Sequence, residues 1–224
     1  MNLNKHFEFF DPTAITEEIH IVGCGAIGST VAEMLTRLGV QQIHLYDFDT
    51  VSDHNITNQM FRMKDIGKTK LDALSEILKE INPDIRLELH PEGWNEYARI
   101  TGYVFIAVDS IDIRKEIVQT YKFNKDIKFI TDCRMRLTDA QCYAADWTNE
   151  KDITKLYNSM DFTTEEAKAA TPVSACGTTL SVTPTVRTIV SLCVSNFINF
   201  LKQSVYKNMI MIDTFAMNIV CFPE

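Results

Sequence analysis

EIHIV at 18–22 runs straight into GCGAIG at 23–28 and then into STVAEMLTRLG at 29–39, and this continuity constrains the fold more than any other feature of the chain. The first five residues have strand character. In the last segment, Val31, Met34, Leu35 and Leu38 recur at helical spacing. Gly39 supplies a helix stop, and QIHLY at 42–46 reads as a second strand. A strand, a glycine turn, a helix and a strand make a crossover between parallel strands, and the chirality of L-residues makes that crossover right-handed.

The alternation continues. LDALSEILKEIN carries Leu71, Leu74, Ile77, Leu78 and Ile81 on one helical face, and IRLELH begins a strand at Ile85. YVFIAV at 103–108, the helical IRKEIVQTY and IKFIT at 127–131 follow. The expected fold is α/β: a Rossmann-like, mostly parallel sheet with helices on both faces and a small antiparallel C-terminal extension. AQCYAADW at 140–147 opens that extension with an antiparallel pattern, and 148–172 is polar, expected as a mobile surface connection with a short helix at TTEEAKAA. Thr183 and Pro184 start a long helix whose inward positions are Val186, Ile189, Val190, Cys193, Val194, Phe197 and Leu201. Short strands at 209–212 and 218–222 end the chain. One domain is expected over 1–224, with a nucleotide-binding core at 18–135 and the extension, crossover connection and long helix at 136–224.

Charge bounds the partners. Twenty-two basic against 30 acidic side chains give a net charge of -8, which argues against nucleic acid or an anionic membrane as the main partner. The six cysteines are scattered with no C-x-x-C pair, so no disulfide framework or four-cysteine zinc site is expected, and reduced thiols in a cytoplasmic protein fit best. No signal-like start and no uninterrupted apolar span is evident.

Gly23, Gly25 and Gly28 form G-x-G-x-x-G between strand and helix, where glycines allow a tight turn and let backbone amides approach phosphates. Asp47, at the end of the second strand, suits ribose hydroxyls. A nicotinamide-dependent oxidoreductase would need no more than these. Here Asp49, Asn55, Asn58 and Gln59 follow, then Asp65, Gly67, Lys68 and Lys70, a set of acids, amides and ammonium groups suited to a triphosphate.

GCGAIG, DFDTVSDHN at 47–55, DIGKTK at 65–70 before a helix ending INP, and the aspartate of AVDS at Asp109 together resemble the ThiF/MoeB-like, ubiquitin-activating-enzyme superfamily over roughly residues 15–135. Compact bacterial and phage-borne members resemble the chain in having an asparagine, here Asn58, before the glutamine. The resemblance implies an adenylyltransferase that uses ATP and Mg2+ to activate the C-terminal carboxylate of a small ubiquitin-like or sulfur-carrier protein, and a homodimer. By position, Asp47 would hold the ribose, Asn55 and Gln59 would line the phosphate site beside Asn58, Asp49 and Ser110, Lys70 would neutralise the α-phosphate, and Asp109 would hold magnesium. An ionised carboxylate needs positioning and charge relief more than a general base, which suits this choice of residues.

One departure is Asn58, where family members often carry arginine; no arginine precedes the first strand either, and Arg62 is a candidate substitute. In DCRMR at 132–136, Arg134 is a candidate contact for a substrate tail. Cys176, just before the long helix, is the candidate thioester nucleophile, with Cys133 the second choice. A non-catalytic nucleotide-binding module is the remaining alternative. The histidines read as strand or turn residues, with no spacing that arranges them as metal ligands or as a triad. Trp94 and Trp147 read as packing residues.

Overall fold

The computed structural model describes residues 1–173, 180–203 and 205–222. Strands β1 (Ile19–Val22), β2 (Gln42–Tyr46), β3 (Arg86–His90), β4 (Gly102–Ile106), β5 (Ile127–Arg136), β6 (Asp139–Asp146), β7 (Met209–Asp213) and β8 (Asn218–Phe222) form one sheet in the order β3-β2-β1-β4-β5-β6-β7-β8. From β3 to β5 the pairing is parallel, and from β5 to β8 it is antiparallel. This is the expected Rossmann-like α/β sheet with its antiparallel extension. Short turns join β5 to β6 and β7 to β8, whereas the chain between β6 and β7 carries helices and each parallel neighbour needs a crossover.

Helices α1 (Ala26–Arg37) and α2 (Lys70–Ile81) join β1 to β2 and β2 to β3, and α3 (Ile111–Tyr121) joins β4 to β5. One core collects Ile19, Ile21, Ile43 and Leu45 with Val31 and Leu35 of α1 and Leu74 and Leu78 of α2. The other collects Val22, Val104, Ile106 and Ile130 with Ile117 and Val118 of α3. Alternate residues of one strand serve opposite cores because the side-chain period is two.

The long helix α6 (Thr183–Gln203) seals the first face. Val186, Ile189, Val190, Cys193 and Phe197 are fully buried, so its apolar stripe is spent inside the chain. Phe197 is the keystone: its ring lies 5.0 Å from Tyr103, 5.2 Å from Phe105 and 6.2 Å from Phe129.

The connection at 148–172 differs from expectation. Besides the short helix α5 (Thr164–Ala170), it contains α4 (Glu150–Asn158), which packs against β6 and buries Ile153 and Leu156. Asn149 caps α4 through its side chain, and Met160 beyond it is fully buried. Only three or four apolar residues in this polar stretch face inward, too few for composition to reveal, yet 153, 156 and 160 keep helical spacing. Phe197→Ala removes a ring that three aromatic partners enclose and should destabilise the fold by about 3–5 kcal/mol, read as a lowered urea midpoint with unchanged slope.

Candidate functional site

The sheet order reverses between β1 and β4: α1 leaves β1 toward one face and α3 leaves β4 toward the other. The crevice at the carboxyl ends of such strands is where doubly wound sheets bind ligands. Gly23 has φ +94°, and a Cβ there would lie 2.8 Å from the backbone of Ala107 and Val108 in the loop after β4. Gly28 is tighter still, since the Gly23 carbonyl oxygen occupies the space of its absent side chain. Gly25 is the opposite case, with open space where a Cβ would stand. It is also the N-cap of α1, and no side chain caps that end. Two glycines therefore close the turn, and the third leaves a cradle over uncapped amides, at the end of a helix where anions are favoured.

Asp47 buttresses this turn. Its carboxylate accepts hydrogen bonds from the Cys24 amide at 2.7 Å and from the Asp49 amide at 2.9 Å. Lys70, the first residue of α2, is buried to 7% exposure, and its ammonium lies 2.6 Å from Asp49 Oδ2 and 3.9 Å from Asp47 Oδ1. The Thr69 side chain caps α2 by accepting from Asp72 N, and the Lys70 amide donates to the Asp49 carbonyl at 2.9 Å. The cation is thus fixed at both backbone and side chain beside the glycine turn.

The amide residues do different work. Asn55 caps its own 3₁₀ turn: its Oδ1 accepts from Ser52 N at 3.0 Å and from Ser52 Oγ at 2.9 Å. Asn58 donates to Ser181 Oγ at 2.7 Å and to the Ser181 carbonyl at 3.1 Å, pinning the approach to α6. Gln59 Oε1 is buried with no partner among the described residues. Asp65 is fully buried and binds Arg62 and Lys68, so both belong to the scaffold. Arg62 Nη1 also reaches Glu80 at 2.6 Å.

Asp109 stands exposed in the loop beyond β4, the loop that meets Gly23. Ser110 caps α3 by accepting from the Ile113 amide at 3.2 Å. Arg114, which the sequence reading passed over, is buried behind them. It binds Asp132 and the carbonyls of Val108 and Cys133. Arg134 grips the same carboxylate at 2.5 and 2.8 Å and donates to the Ser159 carbonyl at 2.7 Å. It is committed to clamping β5 to the end of α4, not presented to a substrate tail. Such a buried cluster leaves no mark on sequence spacing.

Cys176 lies outside the described residues. Cys133 is 2% exposed and packed beneath α6, which removes it as an accessible nucleophile. Cys24, within the turn, is also buried, and burial pushes its thiol well above the usual range. Trp94 and Trp147 are packing residues that donate to the Tyr121 hydroxyl and carbonyl, respectively.

The ThiF family matches residues 14–223. The chain belongs to that family. Ubiquitin-like modifier-activating enzyme 5 of Arabidopsis thaliana is 50% identical over 70 residues, which cover 31% of this chain and 16% of the plant protein. The protein of the same name from Drosophila persimilis is 37% identical over 129 residues, covering 54% of this chain and 33% of the fly protein. The matched stretch therefore spans a third or less of these relatives. Among solved structures, E. coli MccB with ATP superposes with a TM-score of 0.66 at 18% identity, covering 95% of this chain and 64% of that one. PaaA superposes with a TM-score of 0.70 at 15% identity, covering 95% and 65%. At these identities the superpositions establish the ThiF-type fold.

The two kinds of glycine can be separated. Gly23→Ala, strained in φ and pressed against backbone, should lower the melting temperature. Gly25→Ala should leave melting unchanged while filling the cradle, so that nucleotide affinity falls at least about tenfold; equilibrium unfolding and calorimetric titration of both variants check this.

Proposed function

We propose that this protein is an ATP-dependent adenylyltransferase that activates the C-terminal carboxylate of a small ubiquitin-like or sulfur-carrier protein. The observation that carries this reading is the buried Lys70 ammonium, held by Asp49 and Asp47 beside an uncapped, glycine-lined helix terminus. A nicotinamide site uses the turn and Asp47 but has no need of a fixed cation. The names of the relatives agree: they are ubiquitin-like modifier-activating enzymes, and MccB has been crystallised with ATP and with AMPCPP plus MccA.

In this mechanism the turn amides and Lys70 offset the negative charge of the nucleotide, and Asp47 orients the ribose. One oxygen of the incoming carboxylate attacks the α-phosphorus, and the bond to the bridging oxygen of pyrophosphate breaks with its electron pair. No proton need move, because the carboxylate is already ionised near neutral pH. The protein's contribution is therefore alignment and electrostatic relief. Lys70 must exchange its Asp49 partner, wholly or in part, for phosphate oxygens, and Asp49 keeps the ammonium in place until then.

The residues fit a magnesium ion as well. Asp109 is an exposed carboxylate with no hydrogen-bond partner among the described residues, a hard oxygen donor at the mouth of the crevice. It would hold Mg2+ with the nucleotide phosphates, and the ion would supply further charge neutralisation.

We place the protein in the cytoplasm, a setting that suits the five described cysteines, all free. No described helix is long and apolar enough to cross a membrane. A homodimer belongs to the proposal through the family resemblance alone, because the α6 stripe that also suggested it is core; sedimentation analysis tests it.

Calorimetric titration should show binding of magnesium-ATP in preference to NAD(H). Lys70→Ala should weaken ATP binding by roughly 10- to 100-fold, the range of about 1.5–3 kcal/mol for a hydrogen bond to a charged group. With the true partner present, ATP–pyrophosphate exchange should appear and be lost in the same variant. Preference for NAD(H) would replace this reading with the oxidoreductase.

A further inference from the structure

No helix joins β3 to β4. The link at 91–101 crosses from the sheet edge to its middle as irregular chain, and one face of β1–β3 beneath it borders a cleft of about 360 Å³. Its lining includes Glu18, His44, Tyr46, His90 and Glu92. The Glu18 end of the cleft lies five residues along an extended strand from Gly23, roughly 16 Å, while Tyr46 at its other end accepts from the Gly23 amide at 2.8 Å through its carbonyl.

The strand register builds an ordered array here. His20 of β1 faces His44 of β2, and Tyr46 of β2 faces His90 of β3. The rings stack in those pairs at 4.4 and 4.0 Å. Along the other direction, His20 Nδ1 lies 3.0 Å from the Tyr46 hydroxyl and His44 Nδ1 lies 3.4 Å from His90 Nε2. Both δ nitrogens therefore have partners within the array.

Both ε nitrogens turn to one carboxylate. His20 Nε2 is 3.4 Å from Glu18 Oε2, and His44 Nε2 is 3.9 Å from Glu18 Oε1. One donor atom from each of the three residues lies within 4.8 Å of the others. Donors bound to zinc at about 2.0–2.1 Å in a tetrahedron stand about 3.4 Å apart, so convergence on one ion requires the His20 and His44 rings to turn out of their stacked arrangement. The other neighbours of these nitrogens are weak: the Thr101 amide reaches His20 Nε2 at 3.4 Å, and Gln42 Nε2 lies 3.5 Å from His44 Nε2.

We propose that Glu18, His20 and His44 form a binding site for a divalent transition cation of the zinc type, oriented by Tyr46 and His90, with water completing the coordination from the cleft. Two imidazoles and one carboxylate are a common catalytic-type zinc set, and a partner on the second ring nitrogen is the usual device for fixing the tautomer of a ligating histidine. The protonation states agree. Burial pushes both imidazoles down, His20 to about 3, and the Thr101 hydroxyl helps hold the Glu18 carboxyl below its usual range. Near neutral pH all three residues offer lone pairs, and the anionic carboxylate offsets part of the cation's charge.

A second cluster, Cys133, Cys142 and Cys193, also brings its sulfurs within 4.8 Å of one another, but it is closed beneath α6. The test must separate the two. Untagged, metal-stripped protein titrated with Zn2+ should bind one equivalent, and Co2+ in its place should give a spectrum without a thiolate charge-transfer band. Glu18→Ala and His44→Ala should abolish that equivalent, His90→Ala should weaken it by about 10- to 100-fold, and Cys133→Ser should leave it intact. Circular dichroism and melting confirm folding of each variant, and Glu18→Gln substitutes where Glu18→Ala does not fold. No stoichiometric Zn2+ binding by the wild-type protein, or binding that survives both Glu18 and His44 substitutions, overturns the proposal.

Discussion

The contact between Gly23 and Gly28 is the constraint on which the rest of the site depends. The Gly23 carbonyl lies where any side chain at position 28 would be, and Gly23 itself is pressed against the backbone after β4. Three pieces of main chain meet there without side chains between them: the end of β1, the first turn of α1 and the exit of β4. This close approach holds the helix terminus over the switch point of the sheet. It also explains why the two closing glycines cannot vary, while Gly25, between them, faces open space.

Around that contact, charge is arranged in two tiers. The outer tier runs from buried Lys70 to exposed Asp49, and its ammonium rests on the carboxylates of Asp49 and Asp47. The inner tier, Arg114, Asp132 and Arg134, lies deeper and is held by backbone carbonyls as well as by ion pairs, although Arg114 Nε has no partner among the described residues. Removing one member of such a cluster leaves a buried charge without its counterion, typically a strongly destabilising change. The inner tier therefore fixes the β4 exit and the α4 end, and under the proposed function the outer tier meets the nucleotide.

Legibility differed between the halves of the chain. The parallel half could be read because strand, glycine turn and helix follow one another with strong periodicity, and because Gly23, Asp47, Lys70 and Asp109 belong to local motifs. α4 escaped because its inward face needs only Ile153, Leu156 and Met160 among polar neighbours. Asn55, Asn58 and Gln59 were recognised together as one motif, yet they divide between capping a turn, pinning Ser181 and presenting an unpartnered acceptor. Motif membership does not reveal which hydrogen bonds are already made.

By itself, the sequence determined the strands and helices of the parallel half, the closing glycines and the kinds of group beside the glycine turn, because these depend on local sterics and periodicity. Tertiary structure alone decided that Arg134 is a clamp, that Cys133 is sealed beneath α6, and that Glu18, His20 and His44 bring their donor atoms within 4.8 Å of one another. Each of those outcomes depends on strand register or on which neighbour arrives from far along the chain. His20 and His44 are strand residues like any others until β1 pairs with β2 and the register sets one imidazole on the other.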